Sequence, residues 1–261
     1  AEAVVWNMYD TYRELTRKNI LEAYHDAVQY KDETLTLFAL GHLRLQERVL
    51  AEEYFWGICQ KIMRIVRDMD EAPEELEGLE RMLADTSFCN FSIFQSIPDF
   101  WAINQLFPIM PIQRLYEEPT RRAVLAVITC DSDGKIDEFI DRRDVKHVLQ
   151  LHAPNGEDYY LGFFLVGAYQ EILGDLHNLF GDTDTVDVRV DGNAFKLSNA
   201  RRGDTCDRVL GYVGFDADAL RAAFALKVAS ANIDAALATR IAADLESGLT
   251  AYTYLEETVH A

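Results

Sequence analysis

The feature that most constrains the fold is a run of short strand-like segments between residues 88 and 204. Most connections between them are too short for a crossover helix, so the segments are expected to pair mainly as antiparallel neighbours. The predicted strands are 88–95, 123–130, 136–140, 145–151, 159–167, 185–190 and 194–197. A helix is predicted over 168–180. This pattern favours a Greek-key β-barrel or sandwich domain over a parallel sheet.

Helical periodicity precedes this block. Residues 2–69 are predicted to be helical, with Asp32 as the N-cap of a second, long helix. Pro73 is followed by two glutamates, which is typical of a helix start, and that helix is predicted to run to about residue 84. No Gly/Pro-rich linker separates these helices, so they are expected to form an antiparallel bundle or a three-helix layer.

Helical periodicity also follows the strand block. One helix is predicted after Thr205, a second is capped by Asp216, and Asn232 or Asp234 opens the last. The fold class is therefore predicted to be α+β: a helical bundle, then a β-barrel or sandwich, then C-terminal helices. The predicted domains are 1–86, 87–204 with the helix 168–180, and 205–261.

Composition excludes several classes of function. The chain has 25 basic and 44 acidic side chains, and the formal net charge of −19 disfavours nucleic-acid binding. This charge suits a cationic small substrate, although an ordinary solvated surface explains it equally well. No apolar run is long enough to span a membrane, and the first residues do not resemble a signal peptide. The four scattered cysteines are typical of reduced thiols in a cytoplasmic protein.

The sequence also lacks familiar site motifs. The six histidines form no HxxxH or HxH pair, which disfavours a zinc or iron centre. The absence of GxGxxG, GxxxxGK[ST] and GxSxG argues against dinucleotide-binding, P-loop and hydrolase folds. Asp182, Asp184 and Asp187 lack the spacing of a calcium loop and are interpreted as structural.

A thiol next to a carboxylate ends the apolar strand 123–130. Cys130 can deliver a proton, because a thiol is largely protonated near neutral pH. Asp131, or with lower priority Asp133, can bind a cationic group, and one carboxylate can accept two hydrogen bonds from a planar guanidinium. Gly134 then closes a tight turn. The alternative is a buried small residue followed by an ordinary Asx turn, and the local sequence alone favours that alternative.

A second candidate site lies where the strand 159–167 meets the next helix. Gly167 and Ala168 allow close approach of a backbone or a planar ring, and Tyr169 lies in the first helical turn, where a phenol can contact a phosphate. His177 lies eight positions further, roughly on the same helix face, and is interpreted as a C-cap. The alternative for Tyr169 is packing at a strand–helix corner.

Several long motifs in the same order resemble the biosynthetic arginine decarboxylases, and the resemblance covers nearly the whole chain. The motifs are Asn90–Asp99, Trp101–Pro108, Ile128–Gly134, Leu161–Gly174, His177–Asp182 and Tyr252–Glu256. The resemblance implies a pyridoxal 5'-phosphate enzyme in which a (β/α)8 barrel carries the Schiff-base lysine and the phosphate loop. That barrel is absent from this sequence, so the chain resembles the carboxyl-terminal half of the enzyme.

The resemblance also implies roles for matching residues. Cys130 is expected to protonate the carbon that has lost carbon dioxide, Asp131 to bind the cationic end of L-arginine with Asp133 as a second candidate, and Tyr169 to contact the cofactor phosphate. His177 and Asn178 are expected to be structural. The expected partners are the barrel domain and a second subunit, in a homodimer or a dimer of dimers, with Mg²⁺ as a further cofactor whose ligands cannot be assigned.

Two alternatives to arginine decarboxylation remain open. Decarboxylase-like proteins without activity can bind and regulate active relatives, although the retention of Cys130 and Asp131 favours an enzyme. Another basic amino acid is also possible as the substrate, because Asp131 suits any cationic tail. Arginine is inferred from the resemblance and not from the charge of that residue.

Overall fold

The computed structural model describes residues 2–69, 73–142 and 144–256. By its internal contacts the chain divides into two compact units. The first holds the described residues up to Asp85 together with Arg121–Ala123, and the second holds Thr86–Thr120 and the described residues from Val124 onwards. A search of the described helices for a stretch of membrane-spanning length and hydropathy finds none.

The first unit is a helical bundle, as predicted. Its helices are α1 (Glu2–Glu14), α2 (Ile20–Ala39), α3 (Leu45–Arg67) and the short α4 (Glu77–Met82), which follows a 3-10 turn at Glu74–Leu76. Each of the three long helices packs against the other two. The residues at the centre of the core are fully buried and apolar: Met8, Ala27, Phe55, Ile58, Cys59 and Ile62. Burial of one apolar stripe from each helix holds this layer together.

The prediction that Asp32 caps a helix is wrong, because Asp32 lies inside α2. The break between α1 and α2 is instead fixed by Asn19, whose Oδ1 accepts hydrogen bonds from the Thr16 N–H at 2.7 Å and the Thr16 hydroxyl at 2.9 Å. α2 ends at Ala39, and Gly41, two residues later, has a left-handed φ of 74° that favours glycine. Local side-chain bonding and a C-terminal glycine therefore set the boundaries.

The second unit contains the strands apart from Asp85 and Arg121–Ala123, and the chain has the predicted α+β class. The strands are β1 (Asp85–Cys89), β2 (Ile109–Pro111), β3 (Arg121–Val127), β4 (Lys135–Ile136), β5 (Phe139–Ile140), β6 (Val145–Lys146), β7 (Leu149–Leu151), β8 (Leu161–Phe163), β9 (Thr185–Asp191) and β10 (Ala194–Arg201). β1, β3 and β4 form a sheet in that order, and β7 also pairs with β3. The remaining strands pair as β2–β8, β5–β6 and β9–β10, each antiparallel. The described elements form no (β/α)8 barrel.

Several predicted elements differ from the structure in this unit. The predicted strands 136–140 and 145–151 are each divided into two short strands, and 159–167 is a strand only at Leu161–Phe163. The segment 88–95 is not a strand throughout: β1 ends at Cys89, and α5 (Ile93–Ser96) follows, because the Ser92 hydroxyl accepts a hydrogen bond from the Gln95 N–H at 3.3 Å. α6 (Pro98–Ile103) comes next. The helix predicted over 168–180 is only α7 (Ala168–Ile172), followed by a separate 3-10 turn at His177–Leu179. His177 is therefore not a C-cap of the helix that carries Tyr169.

The C-terminal helices are α8 (Cys206–Tyr212), α9 (Ala217–Ser230) and α10 (Ala235–Thr250). The predicted N-caps are confirmed. Asp216 accepts a hydrogen bond from the Ala219 N–H at 2.7 Å, and Asp234 accepts one from the Leu237 N–H at 2.9 Å. The structure groups these helices with the strands in one unit, and the predicted division between residues 204 and 205 stays a prediction.

Candidate functional site

The thiol and the carboxylates lie in a tight turn that connects β3 to β4. Val127 N–H donates to the Gly134 carbonyl at 2.9 Å, and Gly134 N–H donates to the Asp131 carbonyl at 3.0 Å. A Cβ on Gly134 would lie 2.5 Å from Thr129 Oγ1, so the turn closes only with glycine here. Within the turn, Asp131 Oδ1 accepts a hydrogen bond from the Asp133 N–H at 3.0 Å.

This turn displays its chemical groups instead of burying them. Cys130, Asp131 and Asp133 are all exposed, whereas Leu125 and Val127 of the preceding strand are buried. The local alternative is therefore wrong about burial at position 130, but its Asx turn is present, because Asp131 Oδ1 accepts the N–H two residues later. A buried strand delivers an accessible thiol and two accessible carboxylates to one short loop.

A second turn meets the first. Asn178 Oδ1 accepts a hydrogen bond from the Cys130 N–H at 3.3 Å, and Asn178 Nδ2 donates to Cys130 Sγ at 3.3 Å. The neighbouring residue, His177, places its Nε2 3.7 Å from Asp131 Oδ2, which is too long for a hydrogen bond but close enough for an electrostatic contact. Two consecutive residues of one turn thus face two consecutive residues of the other.

Aromatic rings support both turns. The His177 ring lies 4.5 Å from the ring of Phe94, which is buried, and Phe94 packs edge-on against Trp101 at 5.4 Å. Trp101 Nε1 in turn donates to Asp133 Oδ2 at 3.2 Å. The ring cluster therefore links α5 and α6 to the groups of the candidate site.

Tyr169 lies on α7 with 76% of its surface exposed, so the phenol is accessible. The helix is anchored by the next residue: Gln170 is buried, its Oε1 accepts the Asp99 N–H at 3.0 Å, and its Nε2 donates to the Asp99 carboxylate. In the described part of the chain, no hydrogen bond or ring contact joins Tyr169 to Cys130 or Asp131. The structure thus brings Cys130, Asp131 and Asp133 together and leaves Tyr169 outside that cluster.

A cleft of about 290 Å³ lies beside α7. Its lining residues are Gln95, Ser96, Val166, Gly167, Glu171, Asp182, Thr183 and Thr185. Gln95 Nε2 donates to Asp182 Oδ1 at 2.6 Å. Partial burial, and then the nearby Asp204 carboxylate, raise the pKa of Asp182 above its usual range. The cleft therefore has an acidic wall that is partly withdrawn from water.

The aspartates at 182–187 have structural partners, as interpreted from the sequence. Besides the contact of Asp182 with Gln95, Asp184 Oδ1 accepts the Gly203 N–H at 2.7 Å, and Asp187 Oδ2 accepts from Asn199 Nδ2 at 2.6 Å. Within residues 2–69, 73–142 and 144–256, no three His, Cys, Asp or Glu side chains form a group suited to a metal ion.

Sequence reasoning missed the contacts of Asn178, His177 and Trp101 with the candidate site. Asn178 has a left-handed φ of 57°, and asparagine is among the few non-glycine residues that adopt this conformation readily. An asparagine between an aromatic residue and a Leu-Phe-Gly sequence was thus a signal for a turn. The pairing of this turn with Cys130, 48 residues away in the chain, could not be deduced from local pattern.

Comparison with known proteins gives two family matches. The arginine decarboxylase helical bundle domain matches residues 1–80, and the arginine decarboxylase C-terminal helical extension matches residues 207–255. The biosynthetic arginine decarboxylase of Thermosynechococcus vestitus is 51% identical over 257 residues, which cover 97% of this chain and 40% of that protein. The one from Gloeobacter violaceus is 50% identical over 263 residues, covering 97% of this chain and 41% of that protein.

A solved structure agrees. The crystal structure of the biosynthetic arginine decarboxylase from Campylobacter jejuni superposes with a TM-score of 0.79 at 33% identity, covering 97% of this chain and 41% of that chain. The chain therefore spans about two fifths of the length of the relatives it matches. With both family domains in order at its two ends and similarity between them, the chain belongs to the biosynthetic arginine decarboxylase family, of which it carries the helical bundle and the C-terminal extension.

Proposed function

We propose that this chain supplies the proton donor and the substrate-binding acid of an arginine decarboxylase, which converts L-arginine to agmatine and carbon dioxide for polyamine biosynthesis. The observation that carries the proposal is the exposed Cys130-Asp131 pair at the end of a buried strand, in a chain of this family. An exposed thiol next to an exposed acid has no packing role that would explain both residues.

Asp131 is the proposed partner of the guanidinium of arginine. Its Oδ1 accepts a hydrogen bond from the Asp133 N–H. Its Oδ2 lies 3.7 Å from His177 Nε2, beyond hydrogen-bond distance, and can accept hydrogen bonds from a ligand. A planar guanidinium matches such a carboxylate with directed N–H donors. Asp133 is the second candidate, but Trp101 already occupies one of its oxygens.

Cys130 is the proposed acid. Its S–H bond breaks as the new C–H bond forms at the carbon that has lost carbon dioxide, and the electron pair of the S–H bond stays on sulfur. Water then restores the thiol. Positioned acids of this kind contribute roughly 10²–10⁴-fold to rate. The placement of Asp131 beside Cys130 joins recognition of the substrate to delivery of the proton.

The proposed cofactor is pyridoxal 5'-phosphate, which when bound supplies the electron sink that makes loss of carbon dioxide possible. The residues of this chain fit a peripheral role toward it: the exposed phenol of Tyr169 can donate a hydrogen bond to the phosphate. We propose that the Schiff-base lysine and the phosphate loop belong to a barrel domain in the part of the relatives that this chain does not cover.

The proposed assembly is a homodimer or a dimer of dimers in the cytoplasm, in which the Cys130-Asp131 pair enters the active site of the second subunit. Exposure of the pair supports this arrangement, because both groups are available to another polypeptide. Mg²⁺ is proposed as an additional cofactor without assigned ligands.

The test uses the holoenzyme that includes the barrel domain. Asp131→Ala is expected to raise the KM for arginine about 10- to 100-fold, because a charge-assisted hydrogen bond contributes about 1.5–3 kcal/mol. Cys130→Ala is expected to leave KM nearly unchanged and to lower kcat. Part of the product should be diverted to 4-guanidinobutanal, whose amino nitrogen would stay with the cofactor, because without the thiol the proton would reach a different carbon. Asp191→Ala and Cys206→Ala, which remove an acid and a thiol elsewhere, serve as matched controls.

The outcomes separate the candidate functions. Unchanged KM in the Asp131 variant and clean agmatine formation by the Cys130 variant would remove both residues from the reaction. A holoenzyme with no decarboxylase activity that instead alters the activity of an active relative would favour the regulatory alternative. A higher kcat/KM for another basic amino acid than for arginine would change the proposed substrate.

A further inference from the structure

We propose that Asn178 is a positioning residue for proton delivery, which aims the thiol of Cys130 and stabilises the charge that forms on its sulfur. The inference rests on the proposed function of Cys130 and extends it to a residue in a separate turn of the fold. Asn178 acts only through Cys130 and does not itself contact the substrate.

The hydrogen bonds fix the orientation of the Asn178 amide. A backbone N–H can only donate, so the atom facing the Cys130 N–H must be the carbonyl oxygen Oδ1, at 3.3 Å. The amide nitrogen Nδ2 is then left to face Cys130 Sγ, also at 3.3 Å. One side chain therefore forms hydrogen bonds with both the backbone and the sulfur of the same cysteine, and it is the donor to that sulfur.

The backbone around Asn178 is held in an uncommon conformation. Asn178 and Leu179 both have left-handed φ values, of 57° and 62°. Such a conformation is unfavourable for leucine, and it persists only where the surrounding structure requires it. The same turn places His177 Nε2, a buried atom with no hydrogen-bond partner among the described residues, 3.7 Å from Asp131 Oδ2. The turn thus faces both proposed reactive residues at once.

The N–H donor from Asn178 matters because the charge on the Cys130 sulfur changes during proton transfer. Before the reaction the sulfur is neutral, and an N–H donor to a thiol is a weak hydrogen bond. When the proton leaves, the electron pair stays on sulfur and the same N–H faces an anion, so the interaction strengthens. Stabilisation that grows as charge develops lowers the barrier to proton transfer. Fixing Sγ also directs the proton to one carbon of the substrate.

The competing explanation is that Asn178 only permits the left-handed turn. Glycine adopts that backbone at least as readily, so Asn178→Gly keeps the turn and removes the amide. Asn178→Asp keeps the size and the acceptor for the Cys130 N–H, but replaces the donor to sulfur with a carboxylate oxygen. The two variants therefore separate the role of the backbone from the role of the N–H donor.

The first experiment needs no cofactor. Iodoacetamide alkylation of Cys130 in the 261-residue chain reports stabilisation of the sulfur anion, because the thiolate is the nucleophile. We expect Asn178→Gly and Asn178→Asp to slow alkylation at one neutral pH by about 10-fold or more, the factor that follows from losing a hydrogen bond to a charged group. Equal far-UV circular dichroism and unlabelled Cys59 show that each variant is folded. Wild-type alkylation rates in both folded variants would overturn the proposal.

The second experiment measures product partition in the holoenzyme with the barrel domain. We expect Asn178→Gly to lower kcat by about 10- to 100-fold, because small displacements of a reacting group have effects of this size. The KM for arginine should stay within about 2-fold of the wild-type value. The ratio of 4-guanidinobutanal to agmatine should rise. A purely structural role would not shift the product ratio. A wild-type ratio in Asn178→Gly together with a raised ratio in Cys130→Ala would overturn this inference alone, whereas wild-type ratios in both would overturn the proposed function as well.

Discussion

At the scale of single residues, the surroundings of each cysteine decide its reactivity. Cys130 is exposed, whereas Cys59 is fully buried in the helical core, and burial raises the pKa of both Cys59 and Cys89 to about 11. The thiols of Cys59 and Cys89 therefore stay protonated, and hence unreactive, at any pH well below that value. One chain thus holds both inert and available thiols.

Iodoacetamide at mildly alkaline pH is expected to label Cys130 at least about 10-fold faster than Cys59 and Cys89, because only the thiolate form reacts. Peptide mass spectrometry over a time course measures the rate at which each cysteine is labelled. Unfolding in guanidinium chloride should remove the difference, which is the control. Labelling of Cys59 before Cys130 in the folded chain would contradict the assignment of exposure.

At the scale of elements, the C-terminal segment 251–255 fastens the region around the candidate site. Tyr254 is buried and donates its O–H to the Gly181 carbonyl at 2.8 Å, and the Thr253 hydroxyl accepts the Gly181 N–H at 3.0 Å. Leu255 exchanges two hydrogen bonds with the Asn90 side chain, at 2.8 and 3.0 Å. The segment therefore braces Gly181, three residues beyond Asn178.

Tyr254 is expected to make the fold sensitive to alkali. Burial raises the pKa of its phenol above the usual range, so the unfolded chain ionises first. Stability from this group is present below the unfolded pKa of about 10 and is lost as pH rises above it. Tyr254→Phe should reduce the loss of stability at alkaline pH. It should also lower the unfolding free energy at neutral pH by about 1 kcal/mol, because the Gly181 carbonyl loses its hydrogen-bond donor.

Urea unfolding at several pH values measures both effects. Tyr212→Phe, a change to an exposed tyrosine in α8, is the matched control and should leave the pH dependence unaltered. If the free energy of unfolding falls equally at alkaline pH in the Tyr254 variant and the wild type, another group is responsible.

Local sequence signals predicted the elements that depend on local chemistry. The Asp216 and Asp234 caps and the β9–β10 hairpin need only neighbouring residues, and the structure confirms them. The prediction of a strand over 88–95 was wrong, because capping by Ser92 and burial of Phe94 outweigh the alternation of large apolar with small or polar side chains in this segment. The exposure of Cys130 agrees with the role that the family resemblance implies, whereas its contact with Asn178 depends on tertiary packing that no local pattern encodes.

At the scale of the whole molecule, charge is the dominant feature. The formal net charge of −19 means that acidic groups repel one another in the compact state more than in the expanded chain. Under the proposed function, the same field would attract the cationic substrate toward Asp131. Both effects weaken when salt shortens the range of electrostatic interactions.

Raising NaCl from about 20 to about 200 mM is therefore expected to increase the Tm by a few degrees, because the screening length falls from roughly 20 Å to roughly 7 Å. Differential scanning calorimetry of the chain measures the change. Lowering the pH toward the sequence pI of about 4.6 should reduce the salt effect, which is the internal control. A Tm that falls with salt at neutral pH would show that ion pairs outweigh repulsion.

The open position of the Cys130-Asp131 turn has a practical consequence for chemical biology. An electrophile that carries an amidinium group could dock its cation on Asp131 while its reactive carbon meets the adjacent sulfur. Such a compound would act as an affinity label, selecting this thiol by charge as well as by access. The turn that we propose for catalysis would thus also be a target for covalent inhibitors and for tagging the protein in cell extracts.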